Sequence, residues 1–594
     1  MELTDFFNFH LTGNQKEAIK KIDAFLGDDS FCFLLKGYAG TGKTFLIKGL
    51  SDFLANRKTQ FVLMAPTGRA AMVIANKTKR NASTIHKAIY AMSDLLEYTD
   101  KDDEGNETFK FFYPLKNNYD NDDTIYIVDE SSMISNNFSA AEFFRFGSGF
   151  LLKDLIHYVG STPAIKRKII FIGDPAQLPP VSSNNSPALD KSYLEKEFGI
   201  KSKEYELTEV FRHGTNSGIL DNATKIRESI KQNIYNQIEI QSATDVIPVI
   251  HEKILEQYLN ATNNIIDDET TIIAYSNRAV KFYNEMIRKH FFAGNRKICI
   301  GDKIMIVHNN YANGIVLLNG DFGIVLKVDN PEPTRFIKLG RKSAEIVSLN
   351  FINLVIRFQD VDGIIHDLNC KAFEDLLYST ERDLSSAQMR ALLIDFNERN
   401  KNLKHKTPEY KQALKVDPYF NCLRLKFGYA ITCHKAQGGE WKNAFVDFST
   451  SMGYFNSSYF HWAYTALTRA KEKLFTINEP HLGIGSLLKP SAVAYSREKD
   501  NAIVLQSELE EIDIPFSFPD NDIFLKNIYL AIFDIIKNET IEVVNIVHNS
   551  YQEKYYFSRE HVVIWFNISY NAHHKITSIQ FGSVKYELTF HCCN

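Results

Sequence analysis

The chain reads as α/β, with parallel sheets covered by helices on both faces, and three observations carry that reading. Apolar, β-branched runs alternate with helix-length segments through the first third: FCFLL, FLIKGLSDFLA, FVLMA, a helix from Arg69, IYIV and KIIFIGD. Strands separated by such segments pair in parallel. Each run ends in glycine or polar residues (GYAGTGKT, PTGRA, DESS, GDPAQLPP), and the carboxyl edge of an open parallel sheet is where ligands bind. A second alternating region opens near Glu206 and closes after YTALTRAKEKLFTI.

The glycine loop is the most specific element. Gly37, Ala39, Gly40, Thr41, Gly42, Lys43 and Thr44 follow the apolar run Phe31 to Leu35, and a glycine loop between a buried strand and a helix cradles phosphates through its backbone N–H groups. Lys43 supplies a cation to the β- and γ-phosphates, and the Thr44 hydroxyl suits Mg²⁺. Asp129 and Glu130 follow the buried run IYIV, 85 residues beyond Thr44. Asp129 is placed to hold Mg²⁺ and Glu130 to take a proton from an attacking water. Together they imply hydrolysis of ATP. Gln177, in IIFIGDPAQLPPV, can hydrogen-bond the γ-phosphate or that water; the alternative is a turn ending the strand. Arg212 and Arg469 read either as surface ion-pair partners or as fingers on the developing phosphate charge, worth about 10³–10⁵ in rate.

Residues 93–123 interrupt the first region with two short apolar–aromatic stretches around DEGNE, the pattern of an inserted β-hairpin, with a solvated loop as the alternative. Its Phe111, Phe112 and Tyr113 could stack on a base or pack the hairpin. A β-rich block, from GDKIMIV to KVDPYFN, interrupts the second region, with no long helix pattern before about Ser385. After the acidic stretch ELEEIDIPFSFPD come one amphipathic helix, Ile523–Ile536, and several strands, an α+β module of fewer than about a hundred residues.

A chain of 594 residues exceeds one core and implies roughly three to five units. The longest apolar runs are strand-sized, so no membrane partner is expected. The opening MELTDFF lacks a basic stretch before an apolar one, so no secretory signal is expected either. The seven cysteines form no CxxC pair and read as reduced thiols of a cytoplasmic protein. His573-His574 and His591-Cys592-Cys593 match no usual metal spacing. The net charge of −4 argues against a basic coat while leaving room for a local basic channel.

Nine motifs in register, LTGNQ, GYAGTGKT, APTGRAA, STIHKAI, VDESSMI, GDPAQLPPV, LTEVFRH, ITCHKAQGGEW and YTALTRAK, resemble the superfamily 1 DNA helicases of subgroup B, the RecD-like and Dda-like translocases, over about residues 3–480. The resemblance implies two RecA-like motors with ATP and Mg²⁺ between them, and movement 5′→3′ on single-stranded DNA into forked duplex. It implies a first motor over 1–205 with a pin at 93–123, and a second over 206–300 and 421–490. An SH3-like block would occupy 301–420 and an accessory module 500–594. By the same resemblance Gln15 reads adenine and Glu440 touches ribose. Gln177 senses the γ-phosphate, and Arg212 and Arg469 are the two fingers. Pro66, Thr67, Arg69, Thr84 and His86 of the first motor touch DNA, with His434 and Lys435 of the second. Rivals are an RNA-directed helicase and a nucleotide-gated binding module. The terminal module, lacking a basic stripe, is expected to dock a protein partner.

Overall fold

A computed structural model describes residues 2–7, 11–92, 94–101, 107–140, 144–160, 166–181, 183, 185–209, 217–310, 317–339, 345–360, 363–405, 407–450, 453–483, 516–518, 522–536, 541–549, 551–559, 562–570 and 576–584. The chain divides into two compact units.

The larger unit holds two parallel sheets. The first has six strands in the order Ala82–Thr84, Phe61–Ala65, Ile125–Val128, Lys168–Gly173, Cys32–Gly37, Ser202–Leu207. Every pairing in it is parallel. Because side chains alternate along a strand, each strand feeds two cores. Phe33, Leu35, Ile125, Ile127, Ile170 and Ile172 pack under the helices Gly13–Leu26, Lys43–Asn56 and Gly68–Thr78. Cys32, Leu34, Tyr126, Val128, Ile169 and Phe171 pack under Ile85–Ile89, Leu151–Val159 and Lys191–Phe198. The unbroken apolar runs of the sequence are therefore strands buried on both faces.

The second sheet runs Val246–Pro248, Ala470–Ile477, Trp441–Asp447, Thr270–Ala274, Ala430–Thr432, again parallel throughout. Between Thr270–Ala274 and Ala430–Thr432 lies the β-rich insertion. It is a five-stranded antiparallel sheet ordered Ile365–Phe373, Phe351–Gln359, Phe322–Val328, Lys303–Ile306, Leu425–Phe427, with the helix Ser386–Arg399 beginning where helix periodicity returns in the sequence.

The hairpin pairs Leu96–Lys101 with Glu107–Tyr113, and Phe144–Phe146 adds a parallel third strand. Phe111 and Tyr113 stack on Phe144, while Phe112 and Tyr98 sit edge to face beneath Arg145. These rings pack the hairpin, and Phe144 continues the cluster onto Phe420 of the insertion.

In the smaller unit the helix Ile523–Ile536 lies on an antiparallel meander of Glu542–Asn549, Gln552–Arg559, Val562–Tyr570 and Ile576–Val584. Its core joins Leu525, Ile528 and Tyr529 to Ile546, Tyr555, Phe557 and Ile568. Among the described residues no helix is long and apolar enough to cross a membrane, and no group of three His, Cys, Asp or Glu could hold a metal ion. Cys32, Cys370, Cys422 and Cys433 are buried free thiols and Cys299 is partly exposed; the histidine and cysteine pairs near the C-terminus lie outside the described residues.

Candidate nucleotide site and strand channel

The carboxyl edge of the first sheet turns directly into the site. Gly42 has φ +86° and caps the helix Lys43–Asn56 in left-handed backbone, and a Cβ there would lie 2.6 Å from Gln15 Nε2. Gln15 is buried beneath the loop: Nε2 donates to the Thr41 carbonyl at 3.0 Å, and Oε1 accepts from Thr12 N in a capping box. Its amide thus props the loop from below, and Gln15 does not line the cleft above it.

That cleft, about 530 Å³, is lined by Ala39, Gly40, Gly42, Lys43, Thr44, Asp129, Glu130, Gln177, Glu440 and Arg469, among others. Gly37 ends its strand below the cleft, and Thr41 is buried with its hydroxyl donating to the Tyr38 carbonyl. Lys43 Nζ folds back onto the carbonyls of Gly37 (2.6 Å) and Tyr38 (3.1 Å). Glu130 takes φ +52°, ψ 36°, and its N–H donates to Asp129 Oδ1 at 2.9 Å. Burial first, then the Asp129 charge, pushes the Glu130 carboxyl well above the usual carboxylate range; burial likewise raises Asp129. Glu130 Oε2 and Gln177 Oε1, on residues that line the cleft, are buried with no hydrogen-bond partner among the described residues. Burial works to raise Glu440, but Lys77, Arg469 and Lys471 hold it below its ordinary value. Arg469 is fixed by the carbonyls of Thr465 (2.9 Å) and Gly439 (3.1 Å) and by the Thr468 hydroxyl (3.1 Å). Arg212 lies outside the described residues.

Two further clefts meet at Asn319. The larger, about 1180 Å³, is lined by Thr67, Arg69, His434 and Lys435; the other, about 860 Å³, by His86 with Tyr113, Phe146 and Arg424. Thr67 and Thr84 cap their helices, accepting from Ala70 N and Lys87 N. Pro66 and Thr84 line neither cleft. Arg69 stacks over Trp441, 4.0 Å from the ring, and burial lowers its guanidinium to about 10. A Cβ on Gly439 would lie 2.5 Å from Arg69 Nε and 2.8 Å from the Trp441 ring, so a larger residue there would displace the Arg69 side chain from its stack. Burial and the Arg382 charge lower Lys435 to about 8, and burial lowers His86 to about 4, leaving its ring neutral at pH 7. Arg69 and Lys435 bring cationic side chains to the same cleft, where a polyanion would find them.

Sequence reasoning missed the second motor's grip on the Asp174–Leu178 turn. His461, Tyr464 and Thr465, spaced to share one face of the helix Ser457–Leu467, all bond it. Tyr464 and Thr465 stand inside the YTALTRAK motif; their partners, 290 and 287 residues away, do not announce themselves.

Matches to known families follow the same division. An AAA domain matches residues 10–146, a UvrD-like helicase C-terminal domain 427–477, and a TATA-binding-like protein domain of the TOTE conflict systems 522–585. The ATP-dependent DNA helicase dda of Enterobacteria phage T4 is 24% identical over 73% of this chain and 92% of its own. The ATP-dependent RecD2 DNA helicase of Deinococcus radiodurans is 23% identical over 75% of this chain, which spans 46% of that relative. A Bacteroides Pif1 helicase structure with ADP-AlF3 and single-stranded DNA covers 79% of this chain and 92% of its own at 15% identity and a TM-score of 0.37.

Proposed function

We infer that this chain belongs with the RecD-like and Dda-like helicases, subgroup B of superfamily 1, and is an ATP-driven motor that unwinds DNA while moving 5′→3′ along one strand. The observation that carries the reading is the convergence of Lys43, Thr44, Asp129, Glu130, Gln177 and Arg469 on one cleft between two parallel-sheet motors. Lys43 and the loop N–H groups would bind the phosphates. Thr44 and Asp129 would hold Mg²⁺, which draws negative charge off the phosphate oxygens when bound. Glu130, as a carboxylate, would accept the proton of the attacking water. Gln177 would orient that water, and Arg469 would meet the charge that develops in the transition state. The single strand would pass through the clefts bearing Thr67, Arg69, His86, His434 and Lys435, held by phosphate contacts that read no sequence.

Strand separation on partial duplexes tests the reading. With ATP and Mg²⁺, a duplex with a 5′ tail is expected to open and one with a 3′ tail to stay closed. Opening only from the 3′ tail rejects the direction. Opening of neither, with DNA-stimulated hydrolysis intact, rejects the helicase in favour of a nucleotide-gated binding module, for which residues 500–594 would supply the docking surface.

A further inference from the structure

We propose that the Tyr464 hydroxyl is a positioning group that ties the phosphate loop and the Gln177 turn of the first motor to the helix that precedes Arg469 in the second. The proposal rests on the nucleotide site above and adds to it a residue through which the two halves of that site are held in register.

The phenol makes two hydrogen bonds at once. Its oxygen accepts from Ala39 N, in the glycine loop, at 3.0 Å, and its proton is donated to Asp174 Oδ2 at 2.8 Å. Tyr464 is 1% exposed and Asp174 0%, so the bond between them is made out of water, while the bond from Ala39 N is partly buried. Asp174 Oδ1 accepts from Ala176 N at 2.9 Å, which fixes the turn that carries Gln177. The same helix holds that turn on either side of the tyrosine. His461 Nδ1 donates to the carbonyls of Ala176 (2.9 Å) and Gln177 (3.1 Å), and Thr465 Oγ1 accepts from Leu178 N at 2.8 Å. From the second motor's Gln437, Nε2 donates to the Leu178 carbonyl at 2.8 Å. Thr465 also offers its carbonyl to Arg469 Nε. The loop N–H, the turn that carries Gln177, and Arg469 are therefore linked by a short, largely buried chain of bonds. Tyr464 is the only described member of that chain bonded to the glycine loop itself.

Taking away this hydroxyl leaves a partly buried N–H and a buried carboxylate oxygen unmatched, while the ring still fills its space. The geometry that suffers is the relation between phosphate loop and arginine, which matters in the transition state more than in nucleotide binding.

The test is Tyr464→Phe in the full chain, assayed for steady-state ATP hydrolysis at saturating single-stranded DNA and for nucleotide-binding stoichiometry. The expected result is a fall in kcat of about tenfold, the equivalent of one buried hydrogen bond, with KM for ATP within about twofold and one nucleotide still bound per chain. In a Tyr464→Phe background, Asp174→Asn is expected to cost far less than it does alone, because the bond it would weaken is already gone. Wild-type kcat and KM in Tyr464→Phe overturn the proposal and leave the reading of the site intact. A loss of kcat matched by an equal loss of binding-competent chains also overturns it, since the tyrosine would then serve only folding. A wild-type chain that binds and hydrolyses no ATP overturns both the reading and the proposal.

Discussion

Glu130 shows how much chemistry one backbone position can carry. A side chain at φ +52° occupies the sparsely populated left-handed region, and the turn that holds it there sets Glu130 in the lining of the cleft that also bears Lys43 and Asp129. Its raised pKa makes a pH prediction. A base must be ionised to accept a proton, so hydrolysis is expected to be lost as pH falls through about 7, the value to which burial and the Asp129 charge raise this carboxyl. A pH profile of kcat at saturating ATP is expected to show this acidic limb. Glu130→Gln is expected to lower kcat by about 10²–10⁴-fold while nucleotide binding persists; near-normal turnover by that variant would remove Glu130 from the role of base. Gln15 gives the opposite lesson. LTGNQ marks a residue beside the nucleotide loop, and the structure puts it there, but in a capping box under Gly42 and back from the cleft surface.

At the scale of elements, what the sequence made legible was local. Strand, glycine loop and helix succeed one another within about twenty residues, and two-sided burial writes itself as unbroken apolar runs such as IYIV. The hairpin was legible for the same reason, whereas the destination of its rings was open, because an aromatic on a strand reads alike whether it meets a base or another ring. Here Phe111, Tyr113, Phe144 and Phe146 meet one another, and Phe144 reaches Phe420. The hairpin is thus braced by the insertion as well as by its own pairing, and two-stranded ribbons alone are marginal in water. Phe144→Ala removes the ring that joins both sets. Its expected effect is a several-fold loss of duplex unwinding with DNA-stimulated hydrolysis on single strands nearly unchanged, measured by running both assays on the same preparation. Equal loss in the two assays would show the hairpin serving the motor's own fold. The Tyr464 chain was illegible for a different reason: its bonds span 425 and 290 residues, and no periodicity reports on a partner so distant.

For the whole molecule, each unit has its own apolar core, and units with separate cores unfold separately unless a large interface couples them. Calorimetry of the full chain is expected to show more than one transition, one of which disappears when residues 500–594 are deleted; hydrolysis and unwinding by the shortened chain are expected to stay within about twofold of the full chain. A collapse of unwinding on deletion would make the terminal unit part of the motor. The strand order also sets a schedule for synthesis. In the first sheet the glycine-loop strand Cys32–Gly37 pairs with Lys168–Gly173 and Ser202–Leu207, so this motor is complete once about 210 residues have left the ribosome. The second sheet has no such early closure. Thr270–Ala274 finds both its neighbours, Ala430–Thr432 and Trp441–Asp447, only after the entire insertion has been made. For the time needed to translate more than 150 residues, about ten to thirty seconds at typical elongation rates, the nascent second motor exposes an apolar strand with open edges beside a finished first motor. Chaperone demand during translation should concentrate in that interval.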